Sequence, residues 1–115
     1  MIVLMWFVAF VWTCALELPI YAIGIPRNGR WVLGVVFWLN LATHPCLWFV
    51  APKVLTFDGW IYVSELLIWL TEGLILTALL KGSLGHRLAR GMITAGIANL
   101  LSYLVGIPLS RLLFG

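Results

Sequence analysis

Three glutamates, a histidine and two asparagines stand in parts of this 115-residue chain that otherwise carry almost no charge. Thr13 and Glu17 are four residues apart, as are Asn40 and His44, with Thr43 beside them; Glu65 and Glu72 are seven apart. On a helix these spacings put side chains on one face. Carboxyls backed by amides and an imidazole suit proton binding or relay. With His44, Glu65 and Glu72 as ligands they would suit a metal cation. All seven basic residues (Arg27, Arg30, Lys53, Lys81, Arg87, Arg90 and Arg111) lie elsewhere. A carboxylate removed from water with no counter-charge is too costly to persist. Each glutamate must therefore keep a proton, bond to neutral polar groups, or meet a cation. His44 is the one candidate cation among the neighbouring residues.

The elements that carry these groups follow from composition. The chain is 63% hydrophobic and 10% charged, with mean hydropathy +1.10, too apolar for the surface of a soluble domain of this size. Four apolar runs approach bilayer-crossing length, about 20 residues each: 2–25, 31–51, 60–80 and 91–107. Polar breaks at 26–30, 52–59 and 81–90 hold Gly, Pro and most of the charge. Backbone groups in hydrocarbon must be bonded internally, which leaves helices or a closed barrel, and barrel strands are about half as long. The expectation is an all-α polytopic membrane protein, one four-transmembrane-helix bundle over 1–115. The first run has no basic residues before it, so it reads as a retained span and not a cleaved leader.

Loops 26–30 and 81–90 hold five basic residues against two elsewhere, which predicts these loops in the cytoplasm and both termini outside. Trp31 and Trp60 open their spans as interfacial anchors would. His86, with Lys81, Arg87 and Arg90, is placed to meet anionic headgroups or plain solvent. Measured along ideal helices from the outer ends, Glu65, His44 and Ser102 lie at roughly 8–11 Å depth, and Asn99, Asn40, Glu72 and Glu17 at roughly 13–23 Å. Overlapping depths on all four helices predict one polar seam. A stripe of small and polar residues, Gly91, Ala95, Asn99, Ser102 and Gly106, would let helices approach closely. Pro45 removes the bond to the carbonyl of Leu41 and predicts a local disturbance.

"NLAT" (40–43) and "NLLS" (99–102) match, and each follows a glutamate-bearing span, with Glu17 and Glu72 55 residues apart and the asparagines 59 apart. Two pseudo-symmetric helical hairpins would produce this pattern. His44 and Glu65 have no counterpart in it and form the specialised pair.

The array "ELP" (17–19), "NLATHP" (40–45), the glutamates at 65 and 72, and "NLLS" resembles small four-span membrane proteins of prokaryotes. The resemblance implies the four-helix fold and the choice of polar residues, and no particular activity; the expected location is a prokaryotic inner membrane.

The expected function is binding or conduction of a proton or metal cation. Glu17 and Glu72 would be the carboxyl sites, His44 and Glu65 the outer pair, and Asn40, Thr43, Asn99 and Ser102 the orienting groups. Four helices are few to enclose a pathway, which implies a homo-oligomer or a larger membrane complex in the lipid bilayer. The competing reading is an accessory subunit of a respiratory or photosynthetic assembly, with the seam as hydrogen-bond glue. In that reading His44 is a packing residue and Glu65 a water-exposed carboxylate. His44 and Trp48 loosely suggest pigment-binding helices, and a metal-bound water held by a His and two carboxyls would make an intramembrane enzyme. The motifs of soluble metalloproteases, phosphate loops, serine hydrolases and dinucleotide folds are absent, so enzymatic activity is the weaker expectation. Basic character here is a matter of topology, not of nucleic-acid binding. Cys14 and Cys46 read as apolar fillers without a disulfide.

Overall fold

In the computed structural model of the protein the described residues are 2–26 and 29–114, without the side chains of 107, 109, 110, 113 and 114. Arg27, counted above in the first loop, lies outside them. Four helices follow one another: α1 (Ile2–Gly24), α2 (Val32–Val54), α3 (Trp60–Leu79) and α4 (Leu84–Phe114). All four are long and apolar enough to cross a membrane. Among the described residues there is no strand.

The central element is α4, which packs along α3 on one side and α1 on the other; α1 carries α2, which also touches α3. Successive helices run in opposite directions, so the α1–α2 and α3–α4 connections share one end, here the two-loop end. The 55–59 turn and both described chain ends lie at the other.

Small residues set the close approach of α3 to α4. A Cβ at Gly91 would stand 2.9 Å from the Gly73 carbonyl oxygen and 3.1 Å from the Thr77 nitrogen, both backbone atoms with little room to move. The Trp69 indole then donates to the Met92 carbonyl at 2.8 Å, which ties the two helices together. Gly59 starts α3 with φ +82°, a left-handed conformation that only glycine adopts cheaply.

Tyr21, Ile25, Val32, Val36, Leu76, Leu80, Ala95 and Ala98 fill the two-loop half as one buried apolar cluster. Toward the middle the buried residues turn polar, with Glu17 at 1% exposure, Glu72 at 0%, and Asn40 and Asn99 also buried. Large apolar side chains such as Ile23 (87%) and Leu112 (81%) face outward. Buried acids beneath an exposed apolar surface reverse the pattern of a water-soluble domain.

Two boundaries differ from the sequence reading. The fourth helix starts at Leu84, not near Gly91, and continues through Pro108 to Phe114. Arg87 and Arg90 therefore stand on α4, not in a loop. The missed signal is "GS" at 82–83. Gly82 turns the chain with φ +120°, and Ser83 opens the helix by accepting the Arg87 amide on its carbonyl at 2.9 Å. Arg87 also donates to the Thr77 carbonyl at 2.9 Å, which fastens α4 to α3. The second helix runs on to Val54, so the break after it begins at Leu55.

The disturbance at Pro45 is real and specific. Residues Val32–Pro45 are α-helical, Cys46–Val50 form a π turn, and Ala51–Val54 return to α. The Ala51 amide bonds the Cys46 carbonyl, five residues back. Pro45 and Pro52 bracket the turn, each lacking an N–H for the regular ladder. Cys46 is exposed on it and not a buried filler as its sequence suggests; Cys14 is buried.

Candidate functional site

The buried stripe of α1 is Phe10, Cys14, Glu17 and Tyr21, and that of α2 is Val32, Val36, Asn40 and His44. Both are spaced by three or four, as one helical face requires. The register brings Glu17 and Asn40 to the level where α3 presents Glu72 and α4 presents Asn99.

Glu72 is sealed. Its Oε2 accepts the Tyr21 hydroxyl and the Asn99 amide, each at 2.8 Å. The same amide donates to the Ala95 carbonyl at 2.8 Å, which fixes its rotamer. Three residues along α4, Ser102 donates to Glu17 Oε1 at 3.1 Å, and its hydroxyl also lies 3.1 Å from the Asn99 carbonyl oxygen. One turn of α4 thus supplies neutral groups to both carboxyls. Glu17 Oε2 and Glu72 Oε1 are buried without a hydrogen-bond partner, as is the Asn40 amide nitrogen.

Above this layer lies a chamber of about 500 Å³ lined by all four helices. Glu17, Asn40, Asn99 and Ser102 belong to its deep part, and Glu72 is not on its wall. Thr43, His44 and Glu65 stand higher, and Arg111 lies on α4 toward the chain end. Arg111 is exposed, whereas Glu65 is half-buried. Trp12, Trp48, Trp60 and Tyr103 form aromatic walls. Toward the two-loop end the described helices are packed together by the apolar cluster.

His44 is bound differently from the expected pairing with Glu65. Its Nε2 lies 3.2 Å from the Thr13 hydroxyl, and its ring is held among Trp6, Phe10 and Trp48, with centroids 5.8–6.5 Å away. Thr43 bonds its own helix through the Leu39 carbonyl at 2.9 Å, so its hydroxyl does not orient a carboxyl. Among the described residues no three His, Cys, Asp or Glu side chains come together as metal ligands. His44, Glu65 and Glu72 are therefore not a ligand set: Glu72 is enclosed behind Asn99, and the other two stand on the chamber wall.

Tyr21, which bonds Glu72, is the candidate-site residue that sequence reasoning missed. Its only signal was the i+4 spacing from Glu17, and tyrosine in an apolar run also reads as packing. The chain matches no protein-family model, no curated protein and no solved structure. What it does rests on this geometry alone.

Proposed function

We propose that the chain is an integral membrane protein of four transmembrane helices, and that Glu17 and Glu72 form a proton-binding centre reached through the chamber. The observation that supports it is Glu17: 1% exposed, bonded at one oxygen by a neutral hydroxyl, unpartnered at the other, and on the chamber wall. Ionised and without a cation, such a group is costly to keep. A proton on the free oxygen removes that cost, and the chamber offers the route by which it leaves and returns. Glu72 holds a second proton more tightly, since Tyr21, Asn99 and the surrounding packing separate it from the chamber.

The filled two-loop half makes access one-sided in this conformation. Conduction across the membrane then needs that plug to open, whereas binding and release do not. Arg30, Lys81, Arg87 and Arg90 cluster at the two-loop end, and the positive-inside rule supports a cytoplasmic side there with the chamber facing outward, in the proposed prokaryotic inner membrane.

Infrared spectroscopy of the protein in lipid tests this directly. A protonated carboxyl band that shifts quickly on transfer to D₂O and vanishes in Glu17→Gln is expected, with a slowly shifting band that vanishes in Glu72→Gln. Absence of any protonated carboxyl signal would defeat the proposal.

The two donors on Glu72 favour a second reading for that residue: glue within an accessory subunit of a larger complex. A protein that purifies in fixed ratio with other chains, and whose Glu72→Gln variant assembles normally, supports it.

A further inference from the structure

The chamber is larger than a proton needs, and its walls have a particular chemistry. Its volume of about 500 Å³ falls within the range of small-molecule sites, about 300–1,000 Å³. Trp12, Trp48, Trp60 and Tyr103 present aromatic surface from all four helices, and Glu17 and Glu65 supply carboxyls. Rings and carboxylates together recognise organic ammonium ions: the ring faces attract the cation and its alkyl groups remain against apolar surface. Among the described residues no three His, Cys, Asp or Glu side chains converge as they would on a metal ion.

We propose that this chamber binds a hydrophobic organic ammonium ion, with its charge at Glu17 and its apolar groups against Trp12, Trp48 and Trp60. The inference rests on the proton-binding reading of Glu17. Binding the cation expels the Glu17 proton into the chamber, one proton out for one cation in, and no bond to carbon is made or broken.

The other ionisable groups facing the chamber are His44 from α2, Glu65 from α3, and Tyr103 and Arg111 from α4. His44 meets Thr13 through Nε2 and lies among aromatic rings, with its Nδ1 buried and unpartnered. Arg111 stands nine residues from Ser102, about 13 Å along α4, so its charge is at the opposite end of the chamber from Glu17. Glu65 supplies a second carboxyl on the way in. It also lines a groove of about 560 Å³ outside α3 and α4, together with Asn99 and Tyr103. An ion dissolved among apolar surroundings therefore meets a carboxyl before it leaves them.

The test uses the purified full chain in detergent and follows tryptophan fluorescence as benzyltrimethylammonium is added, with neopentylbenzene as the uncharged ligand of the same shape. Saturable binding of the cation, at least tenfold tighter than the neutral compound and tightening as pH rises, is expected. Glu17→Gln should weaken it at least tenfold and remove the pH dependence. Trp48→Leu should weaken it severalfold without removing the pH dependence. Equal binding of both compounds, or cation binding that Glu17→Gln leaves intact, overturns the inference. No saturable binding while the fast infrared band of Glu17 persists overturns the inference alone. Loss of that band from the wild type overturns the proton-binding reading beneath it.

Discussion

The two halves of the bundle solve the same packing problem in opposite ways. Near the two-loop end, Tyr21, Val36, Leu76 and Ala95 interlock, and Gly73 lets α3 and α4 touch backbone to backbone at Gly91. Toward the other end the same four helices separate around a chamber, where buried polar atoms of Glu17, Asn40 and His44 have no partner. The tight half is closely packed, and the loose half holds the proposed proton site. The boundary between them is the layer in which Asn99 and Ser102 hold the two carboxyls.

Substitutions on each side of that layer should separate the two roles. Leu76→Ala in the tight half removes a side chain only 1% exposed and should cost about 2–5 kcal/mol, read as a fall in folding stability in detergent. Gly91→Val drives a side chain into the Gly73 carbonyl and Thr77 backbone, with an expected cost of about 1–3 kcal/mol and a matching fall in thermal midpoint. At the boundary, Tyr21→Phe deletes one of the two donors to Glu72. It should cost about 1 kcal/mol and speed deuteration of the Glu72 proton. In the loose half, Ser102→Ala takes the single donor from Glu17 and should cost about 0.6 kcal/mol in stability, while visibly shifting the Glu17 infrared band. Gly106→Ala, where an added Cβ meets nothing within 4 Å, should change stability by less than about 0.5 kcal/mol. If Gly106→Ala proves as damaging as Gly91→Val, the contrast between the halves fails.

The helices and the gathering of polar groups were legible because they depend on local facts. Runs of apolar residues give length, and spacings of three and four give the shared face of Thr13 with Glu17 or Asn40 with His44. The partners were not legible, because they depend on which helices are neighbours and at what height. Central placement of α4 gives Asn99 to Glu72 and Ser102 to Glu17, whereas the matching Thr43 turns back on its own helix. The repeat in sequence therefore does not become a repeat in bonding. The surroundings of His44 were hidden for a related reason. Thr13, Trp6 and Phe10 reach it from α1, which no spacing within α2 reveals. The start of α4 was hidden because its first turns carry Arg87 and Arg90, and charge reads as loop when only hydropathy is followed.

The π turn at Cys46–Val50 has a consequence for how the protein tolerates deletion. Such a turn holds one more residue than the regular spiral needs. A chain shortened by one residue there would close as ordinary α-helix, and the residues beyond it would keep their facing about the axis of α2. The same loss in the regular turns before Pro45 would swing everything beyond it by about 100°. The π turn is therefore the place along α2 where the loss of a single codon does least harm.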